Sequence, residues 1–385
     1  MDSRSVSSRL RELVKFLSTV QGDLSNVTGP PSLLAPSSVV EVGHCWAQRP
    51  AVFAAPAHES CPAKRALLVL RWFLIALRSQ LYVAGAPRVS IKKPLNAFLG
   101  ELFLASWSET NPTTNTTTKT DLVAEQNGIR ADGYARVEMT FNGAVNIRQV
   151  GHAMLRIDRF DEHHLVPLPD VKVRGFLAGC MYPEIVDTYT IVSSSGFVTE
   201  IKFSGEGILR GKKNTFAASI YRKSDPARRA IYTVSGVWSD GWTATDARTG
   251  ETLEVYKVDA EENAAAPVDL PPVEEQDPWE SRRAWGGVLN GMEAGDMRKV
   301  LGEKTRIEQA QRAMRRDEES RGEKWEPLLF QAHSAEDSGV FHELAEGMGA
   351  EWGLFPEKTK GVWRVDGERV KGLKRPFRPG MTPLG

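Results

Sequence analysis

Cysteine is scarce in this chain: Cys45, Cys61 and Cys180 are the only three among 385 residues. None shows the short paired spacing of a metal site, and an odd number cannot all pair. Reduced thiols in a cytosolic protein are the expectation. Net charge is missing too, because 49 Lys+Arg balance 49 Asp+Glu. No global field then favours nucleic acid or an anionic membrane, and attraction to a charged headgroup must come from a local cluster. No apolar run reaches the ~20 residues of a membrane-spanning helix, and the N-terminus lacks a signal-peptide core. The sequon Asn115-Thr116-Thr117 goes unused in such a chain. GxSxG, HExxH, P-loop and CxxC words are all absent, so no cofactor and no metal are expected.

What is present is an ordinary globular composition, 41% hydrophobic and 25% charged. Residues 4–20 read as a short amphipathic helix with Val6, Leu10, Leu13, Val14 and Leu17 on one face. Residues 22–62, rich in Pro, Ser and Ala, read as a connector with a short helix near Val39–Ala47. Residues 63–80 form a helix apolar on nearly all sides and therefore buried. Gln80, at its end, needs a polar partner. From Leu95 to about Val258 the period changes to two, as in Arg136–Phe141, Thr199–Phe203, Ala230–Val234 and Leu253–Val258, with Gly-containing turns between. Many short antiparallel strands argue for a sandwich or barrel. A Pro- and acid-rich connector spans 259–280, and Asp296–Gly322 reads as a long charged helix. Lys371–Gly385, with three prolines, reads as a loose tail.

One stretch stands apart: Lys92-Lys93-Pro94-Leu95-Asn96-Ala97-Phe98-Leu99-Gly100-Glu101-Leu102-Phe103-Leu104. Two cations precede a turn and then an almost wholly apolar run. Glu101 is the only charge between Lys93 and Glu109. A carboxylate there must be paired or sit at a wet cavity wall, since bare burial costs several kcal/mol. By composition alone the stretch is a buried strand preceded by a turn.

As a string, KKPLNAFLGELF resembles the lipid-binding signature of the oxysterol-binding protein family. Other words follow in the same order: Gly22-Asp23-Leu24-Ser25, Cys45-Trp46-Ala47, Glu125-Gln126, Gly151-His152-Ala153-Met154-Leu155, Gly211-Lys212-Lys213-Asn214 and Glu280-Ser281-Arg282-Arg283-Ala284-Trp285. The resemblance covers nearly the full length and is nearest to short yeast-type members. It implies a mainly β, α+β fold: an incomplete antiparallel β-barrel around a lipid tunnel, with an N-terminal lid helix and a C-terminal helical subdomain. The boundaries then read 1–29 for the lid and connector, 30–92 for a helical segment closing the barrel, 93–260 for the barrel, and 261–385 for the helical subdomain and tail. Leu10, Leu13, Leu17, Trp46, Gln80, Leu95 and Asn96 become the ligand-facing residues, with Gln80 meeting a sterol's polar head at the tunnel floor.

The word Lys304-Thr-Arg-Ile-Glu308-Gln-Ala-Gln-Arg312 is similar to the family's phosphoinositide-headgroup helix. By residue type alone, i, i+4, i+8 spacing gives a solvated, salt-bridged face. With Lys93 and Asn96, the resemblance makes Lys304, Glu308 and Arg312 headgroup contacts, the chemistry a phosphomonoester needs. The chain departs from the family at Glu125-Gln126. The hallmark continues Val-Ser-His-His-Pro-Pro and a strand pair, whereas here Asn127–Asp132 leads directly into Gly133-Tyr134. Both phosphate-gripping histidines are missing, through a specialised paralogue or a mis-spliced gene. His163-His164 matches a different place and reads as surface loop. Two lost donors, at about 1.5–3 kcal/mol each, should weaken phosphatidylinositol 4-phosphate exchange.

Two functions follow. One is binding and transfer of a sterol or sterol-like lipid by a monomer that is cytoplasmic and touches membranes transiently. The other is an enzyme that uses the same pocket to cyclise or isomerise a polyketide or terpenoid by positioning, with Glu101, Glu125, Lys93 and Asp132 as acid/base groups.

Overall fold

Alternation of apolar side chains builds most of this molecule. The computed structural model of the chain describes residues 34–82, 92–111, 116–121, 128–142, 144–175, 181–205, 213–333, 339–346 and 362–385. The expected lid with Leu10, Leu13 and Leu17, the Glu125-Gln126 word and Cys180 lie outside the described residues.

The strands in chain order are β1 Leu34–Ser38, β2 Lys93–Leu95, β3 Ser106–Asn111, β4 Thr116–Asp121, β5 Ile129–Phe141, β6 Val145–Ile157, β7 Glu162–Val166, β8 Val171–Arg174 and β9 Tyr182–Ile185. They continue as β10 Asp187–Ser193, β11 Phe197–Ser204, β12 Thr215–Arg222, β13 Tyr232–Val237, β14 Gly241–Asp246, β15 Thr252–Lys257, β16 Val268–Asp269, β17 Phe330–His333 and β18 Val362–Val365. The helices are α1 Pro50–His58, α2 Pro62–Leu81, α3 Ser281–Ala284, α4 Gly286–Glu293, α5 Met297–Arg321, α6 Gly339–Glu346 and α7 Gly367–Gly372.

β5 to β15 form one antiparallel sheet of 11 strands in the order β15-β14-β13-β12-β11-β10-β7-β6-β8-β9, with β5 on the other edge of β6. β5 and β6 pair along their whole 13-residue length, from Ile129↔Ile157 to Phe141↔Val145. The opposite edge of β6 is divided: Ala153–Ile157 pair with β7, and Val145–Ile147 pair with β8. At the break, Gly151 adopts φ +152, and a Cβ there would collide with the Tyr134 carbonyl. The close approach of the two strands there therefore needs glycine. The sheet does not close on itself among the described residues, which is the incomplete barrel expected.

Helix α2 fills the concave side. Pro62 opens it at a position where no N–H is missed, and neither Gly nor Pro interrupts it afterwards. Val69, Leu70, Phe73, Leu74 and Leu77 share one apolar cluster with the inward residues of successive strands: Phe197, Ile201 and Phe203 of β11, Phe216, Ala218 and Ile220 of β12, Tyr232 and Val234 of β13, and Trp242 and Ala244 of β14. The expected hollow is thus occupied in large part by a helix. A buried ion pair pins it: Arg65 Nη2 lies 2.5 Å from Glu162 of β7, with side chains 6% and 2% exposed.

Four elements differ from the sequence expectation. The short helix near 39–47 is a 3-10 helix, Val40–Trp46, but α1 follows it inside the supposed connector. Pro50 and Pro56 disguised α1, although Pro50 stands at its tolerated start. His163-His164 is strand rather than surface loop. His164 is fully buried in β7, its Nε2 2.9 Å from Glu162 Oε1, because that buried carboxylate requires donors. The segment from Lys371 is no loose tail: Arg375 reaches Glu280 at 2.7 Å, and Phe377 N donates to Asp277 Oδ2 at 2.8 Å.

Candidate functional site

The cleft at the Gln80 end is built by α2, the 3-10 turn and the β7–β8 loop. Trp46, Trp72, Phe73, Ala76, Leu77, Gln80 and Val166–Pro169 line a narrow cleft whose water-accessible space is about 10 Å³, room for roughly one water. Trp72 Nε1 donates to the Trp46 carbonyl at 3.0 Å, and their rings meet edge-on at 5.7 Å. Gln80 Nε2 donates to Gln149 Oε1 at 3.0 Å, and Gln149 Nε2 donates to the Pro169 carbonyl at 2.7 Å. That chain orients the Gln80 amide, whose carbonyl oxygen keeps acceptor capacity. Expected wall residues Trp46 and Gln80 are therefore brought together; Leu95 and Asn96 belong elsewhere.

The second locus joins the signature stretch to α5. Asp296 caps the helix by accepting from the N–H groups of Arg298 and Lys299, both at 3.0 Å, and Gly322 closes it in the left-handed conformation. Val300, Lys304 and Ile307 fall at i, i+4, i+7 and are its buried face. Val300 and Ile307 pack in one cluster with Leu95 and Phe98. The signature and the buried face of α5, with Lys304 on it, are consequently apposed. Lys93 bonds Asn96 Oδ1, and Lys304 bonds Glu308. Arg312, one turn on from Glu308, is exposed.

Glu101 anchors this locus. Its Oε1 accepts from Ser281 Oγ at 2.7 Å and Trp285 Nε1 at 3.1 Å, and its Oε2 accepts from Phe98 N at 3.2 Å. Burial pushes its pKa up to about 7, and the donated hydrogen bonds restrain the rise. Leu102 N donates to the Trp279 carbonyl at 2.9 Å, and Ser281 N donates to the Leu102 carbonyl at 2.7 Å. The carboxylate is thus paired with neighbouring structure. Asp132 sits 3.7 Å from Arg364 of β18, its acidity weakened by burial. Glu101, Lys93 and Asp132 have separate partners rather than a shared cavity. Sequence reasoning gave no role to Ser281, Trp285, Trp279, Trp325 or Arg378; the Glu280–Trp285 word was the available signal.

The molecule thus sets an antiparallel sheet on an apolar helix, with a polar end at Gln80 and a charged helix beside the signature turn. The description "Oxysterol-binding protein" matches residues 12–287, and the chain belongs to that family. It is 42% identical over 385 residues to "Probable transporter efuK" of Hormonema carpetanum, covering 97% of this chain and 54% of that relative. The chain thus spans about half the length of that protein. It is 32% identical over 340 residues to "Protein kes1" of Schizosaccharomyces pombe, covering 83% of this chain and 85% of that one. The structure of the Osh1 ORD domain in complex with ergosterol superposes with a TM-score of 0.66 at 18% identity, covering 96% of this chain and 88% of that chain.

Proposed function

We propose that the chain binds one sterol or sterol-like lipid against α2 and transfers it between membranes, with weakened phosphatidylinositol 4-phosphate exchange. The observation that carries this reading is the narrow apolar cleft at Gln80, which has to widen to admit a sterol. Its walls are aromatic and aliphatic, and its one lining amide is held by Gln149 with a carbonyl ready to accept from a lone hydroxyl. The ergosterol complex of the Osh1 domain supports the ligand class. In this reading, contact with membranes is peripheral and transient, from the cytoplasm; among the described residues no helix is long and apolar enough to cross a membrane. Lys93, Asn96, Lys304, Glu308 and Arg312 supply what headgroup attraction remains.

The test has two arms. Native mass spectrometry on protein purified from its own host should show a co-purifying sterol. Vesicle-to-vesicle transfer of a fluorescent sterol should proceed with the wild type and slow with Gln80→Leu. A chain that neither retains nor moves sterol sinks the proposal.

A further inference from the structure

We infer that the C-terminal strap, residues 375–383, is a positioning device that sets α5 against the signature turn, so that the anionic-headgroup locus is incomplete without it. The inference rests on the headgroup reading of that locus. The strap touches both halves. On the signature side, Trp279 Nε1 donates to the Met381 carbonyl at 3.3 Å, while the same indole packs on Phe98 with ring centres 6.2 Å apart. On the helix side, Gln311 Nε2 donates to the Pro383 carbonyl at 3.0 Å. Gln311 lies between Glu308 and Arg312 in sequence, so its tether fixes the turn that presents both.

Arg378 locks the arrangement. Its guanidinium stacks 3.9 Å from the centre of the Trp325 ring and 5.7 Å from that of Trp279, and it donates to the Glu326 carbonyl at 2.7 Å. Trp325 in turn covers Gly100, which has φ +86 and no space for a Cβ beneath that ring. A displaced Trp325 would therefore release the signature turn from below, and a displaced Pro383 would release α5 from above. The sterol cleft at Gln80 shares none of these contacts, so strap and cleft are separable.

The experiment compares wild type with Arg378→Ala, Gln311→Ala and a chain ending at residue 374. Inositol 1,4-bisphosphate binding is measured by calorimetry, sterol binding by fluorescence, and amide exchange across 98–104 and 304–312 by mass spectrometry. The expected result is a headgroup affinity lowered about tenfold, one charge-assisted contact's worth, with sterol binding unchanged and faster exchange in both segments. Equal losses of sterol and headgroup would overturn the inference, as would unchanged exchange. Should the wild type bind no inositol phosphate, the headgroup reading falls. Exchange then decides the strap alone, faster in the point variants supporting it and unchanged refuting it. The point variants keep the test open if the shortened chain does not fold.

Discussion

Helices α2 and α5 are the two long helices of the described residues, 20 and 25 residues, and they do opposite things. α2 is buried on most sides, and its contacts are apolar strand residues on the inner face of the sheet. α5 buries only Val300, Lys304 and Ile307 and leaves a charged surface. A helix enclosed on most sides has little surface left for chemistry, so α2 contributes mainly shape, with Arg71 and Arg78 reaching Glu254 and Asp259, and Gln80 at its polar end. A helix with one packed stripe can carry exposed charges at no cost in burial, as α5 does with Arg312. The polar exceptions are also opposed. Arg65 of α2 is locked inside a pair with Glu162, whereas Lys304 of α5 has its partner Glu308 on its own helix.

The comparison can be broken most strongly at the Arg65–Glu162 pin. Glu162→Ala should cost about 3–5 kcal/mol, since it leaves a guanidinium buried without its carboxylate; urea unfolding measures this. Burial alone would raise the Glu162 pKa, but His164, Ser195 and Arg65 hold it at about 2. Its folded-state pKa lies below the unfolded value, so its stabilisation is present above about pH 4.5 and fades as pH falls towards 2. Next comes Leu74→Ala in α2, expected to cost about 2–5 kcal/mol through the cavity it leaves and to appear as a lowered urea midpoint.

Glu101 has the opposite sign. Its folded-state pKa is raised, so its contribution is greatest below pH 4.5 and is lost as pH rises through about 7. Wild-type stability should therefore drop by at most about 3 kcal/mol between pH 5 and pH 8 from this group. Glu101→Gln should flatten that slope in matched unfolding curves. The smallest effect sharpens the contrast instead of breaking it. Arg312→Ala should change stability by no more than about 0.5 kcal/mol yet weaken binding of vesicles carrying phosphatidylinositol 4-phosphate. Unchanged vesicle binding would remove Arg312 from the site.

The sequence made much of this legible for definite reasons. Period-two alternation located β5, β11, β13 and β15. Unbroken apolarity located α2, and Asp296 and Gly322 marked both ends of α5. Resemblance supplied the incomplete barrel and pointed to Gln80, whose contact with a ligand stands as a proposal. α1 escaped because two prolines and many alanines look like a connector. The His163-His164 strand escaped because adjacent histidines look solvated until the buried Glu162 beside them is known. The docking of residues 375–383 was invisible because it depends on Trp279, Trp325 and Gln311, which lie tens of residues away and carry no local pattern.

The open order of the large sheet has a mechanical result. In a sealed cylinder the bore is fixed by strand number and stagger, and widening it means breaking a ladder of hydrogen bonds. Here β15 at one margin is not laced to β5 or β9 at the other among the described residues. The curvature can relax by sliding side chains over α2 while every rung between neighbours stays intact. In the proposed reading, a guest wider than the cleft would be admitted by uncurling the wall.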